Sequence, residues 1–226
     1  MNPPPDRSLR VSPAVLAQRL EGLRLSNPVR PIDRVAAVLL LVLDRPHPSF
    51  LGIVRKESGL HGGQFALPGG GVEPGDRDAW AAAVREAREE VGLRDEPIAL
   101  GRLGDYDTVV SRTRVTVQVG FLPRAQSWSP QESEVQGIFE VPWAPLVALY
   151  EDLPPVERGT LLPIDAGFEF DAAPYCVAGV LPPRGRGHRL TTPSGTHDMP
   201  FVWGLTARIL YDFIHHVWQP DPSAKP

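Results

Sequence analysis

The run of apolar and polar positions along the chain divides it into a short series of helices and strands. Ser12-Pro13 reads as an N-cap followed by proline in the first helical turn, and Leu16, Leu20 and Leu23 then recur on one face. That spacing predicts an amphipathic helix over about 13–24. From Val35 to Leu43 every residue is apolar, the pattern of a central strand covered on both faces. Asp44 to Ser49 holds two prolines and predicts a turn, with Phe50 to Val54 as the partner strand. A glycine-rich stretch from His61 to Gly75 opens into an alanine-rich helix from about Asp78 to Val91, capped by Asp76 or Asp78 and ended by Gly92. Val115, Val117, Val119 and Phe121 alternate with polar residues up to Pro123, a half-buried strand. Val135 to Val141 predicts another strand, Pro142 to Leu149 a short helix, and about 202–217 a final helix headed by Trp203, a core anchor rather than a stacking platform. Strands interleaved with a few helices imply one α/β/α-layered domain over 34–218. Residues 1–33 form an extension bearing the first helix, 151–200 a loop-rich insertion, and 219–226 a flexible tail. The apolar first helix either serves an interface, as in a homodimer, or caps the core.

Composition narrows the class. The chain has 226 residues, 42% of them hydrophobic and 22% charged, enough for one substantial core. A formal net charge of −4 provides no global field for nucleic acid or an anionic membrane, so an anionic substrate must be met by local cations or metals. The short basic run of Arg184, Arg186, His188 and Arg189 is too isolated to argue nucleic-acid binding. Cys176 is the one cysteine, which excludes an internal disulfide and reads as a small buried apolar residue. The N-terminal residues lack the apolar core of a signal peptide, and no apolar run approaches the roughly 20 residues of a membrane span, so a cytoplasmic protein is expected. His215 and His216 read as helix-surface residues.

Chemistry enters with Arg85-Glu86-Ala87-Arg88-Glu89-Glu90-Val91-Gly92-Leu93. On a helix Glu86 sits one turn before Glu89 and Glu90, so three carboxylates are expected on one face, with Arg85 and Arg88 offsetting and orienting them. Taken alone, such a string is more often an ion-paired helix surface. What reverses the odds is the stretch directly upstream, Leu67-Pro68-Gly69-Gly70-Gly71-Val72-Glu73-Pro74-Gly75-Asp76. Successive glycines let backbone approach a ligand closely and offer carbonyls to a metal. Carboxylates at that spacing repel unless a cation lies between them, and a hard divalent ion such as Mg²⁺ prefers such oxygens.

Loop and helix together resemble the Nudix box: Gly, five residues, Glu, seven residues, Arg-Glu-aliphatic-x-Glu-Glu-x-Gly-aliphatic. The half from Arg85 to Leu93 matches, with Ala87 at the aliphatic position. Counted back strictly from Arg85, Gly71 takes the glycine position and Arg77 stands where the acid belongs. Counted forward from Gly70, Asp76 takes the acidic position with one extra residue before Arg85, and we adopt that alignment. The resemblance implies a Nudix-type α/β/α sandwich with a mixed central sheet, and a hydrolase that cuts a diphosphate linkage using Mg²⁺ (or Mn²⁺). It implies Glu86 and Glu90 as principal metal ligands, Glu89 as ligand or general base, and the Gly70 carbonyl as a further ligand, with Arg85 beside them in the catalytic set. Glu134 resembles a downstream position that supplies another ligand or the base; as a residue it reads equally as a surface carboxylate ahead of a strand.

Two further stretches resemble the coenzyme A diphosphatase branch. Gly59 to Gly70 is similar to its Leu-Arg-x-His-x-Gly-Gln lead-in, and Trp203-Gly204-Leu205-Thr206-Ala207 to its C-terminal helix. Gly59 replaces the arginine expected to grip a phosphate, with Arg55 and Lys56 nearby as substitutes. His61 and Gln64 either contact phosphate or order the glycine loop, and Arg112 and Arg114 either border the ligand cleft or are solvated strand-edge charges. The alternatives are ADP-ribose, a dinucleotide or a nucleoside triphosphate as substrate, or a module that binds a nucleotide-like ligand without turnover. A binding module would be expected to lack an acid at 86, 89 or 90, and all three are present.

Overall fold

The computed structural model describes residues 12–27, 31–56, 63–108, 111–151, 167–169, 175–179, 189–192, 195–198 and 201–218. Four α-helices run α1 Pro13–Leu20, α2 Ala79–Val91, α3 Trp143–Glu151 and α4 Gly204–Phe213. The strands run β1 Leu25–Asn27, β2 Arg34–Leu43, β3 Ser49–Arg55, β4 Phe65–Ala66, β5 Gly69–Gly71, β6 Ile98–Asp107, β7 Thr113–Leu122, β8 Val135–Pro142, β9 Gly167–Glu169, β10 Cys176–Gly179, β11 Arg189–Thr192, β12 Gly195–Asp198 and β13 Phe201–Trp203.

The large sheet runs β1-β6-β7-β2-β3-β8-β10, with β4 added to β3 and β5 to β2. It is mixed: β1 is parallel to β6 and β2 to β7, while the other pairings are antiparallel. β2 explains the layering. Its residues Ala37, Leu39, Leu41 and Leu43 pack on one face with Ala82, Ala83, Val84, Ala87 and Val91 of α2. Leu40 and Val42 point the other way, into a core shared with Leu16 and Leu20 of α1 and with α3 and α4. A strand covered on both faces must be apolar throughout, and this one is. The alanines of α2 let it lie close against the sheet.

Several expectations shift. The first helix ends at Leu20, with Glu21 as its C-cap, because Gly22 turns left-handed (φ 75°) and the chain extends into β1. That helix caps the core: Leu16 and Leu20 are buried, and Arg19 donates to the Val217 carbonyl at 2.8 Å. β7 is covered on both faces rather than one, because Trp80 of α2 lies over Gly120 and Thr116 is buried. The final helix starts at Gly204, after Trp203 closes β13, and its last turn, Ile214–Trp218, is π-helical. In that widened turn His215 and His216 are half-buried instead of surface residues, and His215 Nδ1 is hydrogen-bonded to the Tyr150 hydroxyl. Cys176 is half-buried on β10, and burial pushes its thiol up. Within 151–200, expected to be loop-rich, β9 to β12 form short ladders. No helix among the described residues is long and apolar enough to cross a membrane.

β6 escaped notice in the sequence. It carries two bulges, between Ala99 and Gly101 and between Arg102 and Gly104, which break its alternation. Both glycines are there for contact: Gly101 lies under Leu20, and a Cβ on Gly104 would stand 2.5 Å from the Leu25 carbonyl oxygen of β1. Gly104→Ala is therefore expected to lose about 1–3 kcal/mol of stability in urea unfolding. Gly75→Ala, where an added Cβ meets open space, serves as the control and should change little.

Candidate functional site

The site is assembled where the glycine loop meets α2. Asp78 caps the helix by accepting from the Ala81 N–H at 2.8 Å, and Gly92 closes it in the left-handed region (φ 68°, ψ 38°). Asp76, the other capping candidate, is engaged elsewhere. Its carboxylate takes Arg85 Nε and Nη2, each at 3.1 Å, and accepts the Glu73 N–H at 2.8 Å. Arg85 also donates to the Gly71 carbonyl at 2.9 Å, to Glu86 at 3.0 Å and to Glu89 at 3.3 Å. The residue expected to be catalytic thus pins the loop onto the helix. Those acceptors raise its pKa, the Asp76 hydrogen bond foremost, and its charge is permanent.

Beneath this lies β5, stitched to β2 by the pairs Gly71–Ala36, Gly70–Ala37 and Gly69–Val38. Side chains are excluded here by contact. A Cβ on Gly70 would lie 2.5 Å from the Glu86 carboxylate, and one on Gly69 (φ 153°) 2.4 Å from the Ala37 carbonyl oxygen. Gly69 serves Glu90 directly, its N–H donating to Oε2 at 2.8 Å. Arg55, the last residue of β3, donates to the Gly69 carbonyl at 3.0 Å and lies 3.6 Å from Glu90 Oε1.

The three glutamates do not share one face, as expected from spacing. Consecutive residues on a helix are 100° apart, so 89 and 90 must diverge. Glu90 turns inward with its side chain 4% exposed, Glu86 is mostly covered at 15%, and Glu89 is half-exposed at 54% beside Arg85. Arg88 pairs with Glu96, away from this cluster, and does not orient Glu86. Burial is the main reason the Glu90 pKa is pushed up to about 7. The Gly69 N–H and Arg55 pull it down, and the charges of Glu86 and Glu134 raise it further. Glu86 is raised as well, by burial first, with Glu89 and Glu134 adding to it against the pull of Arg85.

Glu134 is exposed, yet its charge reaches both buried carboxylates. The reason is a strap: Ser129 N–H donates to the Val91 carbonyl at 3.0 Å and Gln131 N–H to the Glu90 carbonyl at 2.9 Å, tying the segment before β8 to the end of α2. The Glu134 carbonyl in turn accepts the Lys56 N–H at 2.8 Å. Sequence reading missed this strap and the part played by Gly69. The triple glycine was the only available signal for the second.

The other candidates scatter. Gln64 accepts the Arg55 main-chain N–H at 3.0 Å and so sits beside the arginine through its backbone. Arg112 pairs with Asp33 at 2.8 Å, and Arg114 holds Asp107 at 2.7 and 2.9 Å, both at the start of β7 and apart from the glutamates. His61, Gly59 and the loop residues Arg184, Arg186 and His188 lie outside the described residues.

The donors at the cluster are all oxygen, which suits a hard divalent cation. Placing one there would let Glu86 and Glu90 ionise together despite burial and mutual repulsion. Among the described residues no three acidic, imidazole or thiol side chains stand closed around one point, and Arg55 and Arg85 lie against Glu90 and Glu86.

A loop-and-helix carboxylate site on a mixed sheet between helical layers defines a class of phosphate-processing α/β proteins, and comparison with known proteins names it. Residues 33–162 match the NUDIX domain family model, and the chain belongs to that family. It is 35% identical over 181 residues to the uncharacterized Nudix hydrolase NudL of Salmonella paratyphi B, covering 79% of this chain and 80% of the relative, with the same values for NudL of Salmonella newport. Among solved structures, a MutT protein from Methanosarcina mazei aligns at TM-score 0.44 and 22% identity over 56% of this chain and 88% of that one. The NUDIX domain of Shewanella oneidensis NrtR, complexed with ADP ribose, aligns at 0.43 and 14% over 53% and 79%. The chain is a Nudix-type hydrolase acting on pyrophosphate bonds.

The state of Glu90 makes a stability prediction. Folded protein holds this proton more tightly than the unfolded chain, so the stability it contributes is complete below pH 4.5 and is lost as pH rises to about 7. At about 1.4 kcal/mol per pH unit, the loss is on the order of 3 kcal/mol. In urea unfolding with EDTA, Glu90→Gln should be more stable than wild type at pH 8 and not at pH 4. An equal difference at both pH values would show that Glu90 is not the group responsible.

Proposed function

We propose that this hydrolase cuts the diphosphate linkage of a nucleoside-diphosphate derivative with Mg²⁺ (or Mn²⁺), coenzyme A or its thioesters being the favoured substrate. The observation that carries the metal-dependent reading is the buried Glu90 carboxylate between the Gly69 N–H and Arg55, with Glu86 one turn away over Gly70. Glu86, Glu90 and the Gly70 carbonyl are the oxygens that would hold the ion. A divalent cation held there would offset the diphosphate charge and acidify a water molecule.

The chain's own residues do the rest. Arg85 fixes Glu86 and the loop in place, so the donors are oriented before substrate arrives. We take Glu134 as the base: its charge acts on both Glu86 and Glu90, whereas the Glu89 carboxylate is tethered by Arg85. It would take the proton from the attacking water as the bridging P–O bond breaks. Arg55 is the phosphate-binding candidate nearest the cluster, with Gln64, His61, Arg112 and Arg114 as outer ones.

Coenzyme A is supported by sequence: the lead-in from Gly59 to Gly70 and the Trp203 to Ala207 stretch are both similar to the coenzyme A diphosphatase branch. The assay is hydrolysis with Mg²⁺ across coenzyme A, ADP-ribose, dinucleotides and nucleoside triphosphates. Turnover of coenzyme A is expected; its absence with turnover of another member removes the branch assignment and leaves the chemistry.

Three substitutions test the roles. Glu90→Gln should lower kcat more than about 100-fold, since even outer partners of metal ligands are worth about 10- to 100-fold. Glu134→Gln should lower kcat about 10²- to 10⁴-fold, and by more than Glu89→Gln does. The opposite order would make Glu89 the base.

A further inference from the structure

Arg55 forms an ion pair with Glu90, one of the carboxylates a metal would use. Its guanidinium lies 3.6 Å from Glu90 Oε1 and donates to the Gly69 carbonyl at 3.0 Å, next to the Gly70 carbonyl in the loop. The second Glu90 oxygen is taken by the Gly69 N–H. The two arginines at the cluster are held very differently. Arg85 is locked by Asp76, Gly71 and Glu86 and cannot leave without undoing the loop. Arg55 touches one carboxylate and one carbonyl, and its side chain is 37% exposed, so its end lies at the rim while Glu90 lies inside. Its backbone is fixed, with its N–H on the Gln64 carbonyl and its carbonyl on the Gly63 N–H, which leaves the side chain free to swing alone.

We propose that Arg55 is a built-in counter-cation for Glu90, which a divalent ion displaces, so that filling the metal site frees a guanidinium for the substrate's diphosphate. This rests on the metal site proposed above. Two positive groups within a few ångströms of one carboxylate repel, and the divalent ion carries the greater charge. A long, half-exposed side chain can withdraw without loss of core packing. Once withdrawn it stands at the mouth of the site, and a guanidinium pairs with phosphate oxygens through two parallel hydrogen bonds. Metal would then bind before substrate, and the charge that screens Glu90 would become the charge that receives the ligand.

The test is Mn²⁺ binding by calorimetry at pH 8.5. Arg55→Met should bind Mn²⁺ about fivefold or more tighter than wild type, because the competitor is gone. Arg55→Lys, which keeps the charge, should fall nearer the wild type. If wild type binds Mn²⁺ and Arg55→Met binds it no tighter, displacement is wrong and the metal site stands. If wild type binds no Mn²⁺, the site itself fails and the proposal with it. A second measurement needs no variant. Mg²⁺ should speed modification of Arg55 by phenylglyoxal, followed by peptide mass spectrometry, and imidodiphosphate added with Mg²⁺ should slow it again. A rate indifferent to Mg²⁺ overturns the displacement; lack of protection by imidodiphosphate overturns the phosphate-binding half.

Discussion

A carboxylate carried into the protein interior must find donors or a cation, and Glu90 is that carboxylate here. Much of the local architecture answers to it. The loop must come within hydrogen-bond reach of the helix, which places the Gly69 N–H at 2.8 Å and leaves no room for a side chain at Gly69 or Gly70. An arginine must end β3 at the right height to bring a positive charge alongside. The segment before β8 is drawn in against the end of α2, bringing a further negative charge toward the pair. The burden of repulsion collects where the loop meets the helix, and chemistry can use it there.

Arg85 solves a different problem. Asp76, Glu73, Glu86 and Glu89 crowd the junction of loop and helix, and one guanidinium with five donors connects them. Asp76 reaches Arg85 there through two parallel hydrogen bonds.

What could be read from the chain follows from how local the cause is. β2, α2 and its two caps were visible because burial on both faces, alanine content, Asp78 and Gly92 act within a few residues of themselves. β6 was invisible because its glycines exist for contacts with Leu20 and Leu25, about 80 residues earlier. The identities of Glu86, Glu89, Glu90, Arg55 and Glu134 as candidates were legible, but their division into buried pair, flank, counter-cation and neighbour was not. That division depends on which way α2 is rotated against β5, and on a strap that spacing cannot reveal. Arg112 and Arg114 looked like cleft residues because their partners, Asp33 just ahead of β2 and Asp107 at the end of β6, lie on other segments.

The glycine loop is a loop only in composition. Its three central residues form a ladder with β2, which is itself bonded to β7 along all ten of its residues. Backbone anchored in that way does not open and close with each ligand, so the conformational work of a catalytic cycle falls on side chains at its edge. Reorientation of Arg55 at that edge would then be a side-chain motion of nanoseconds.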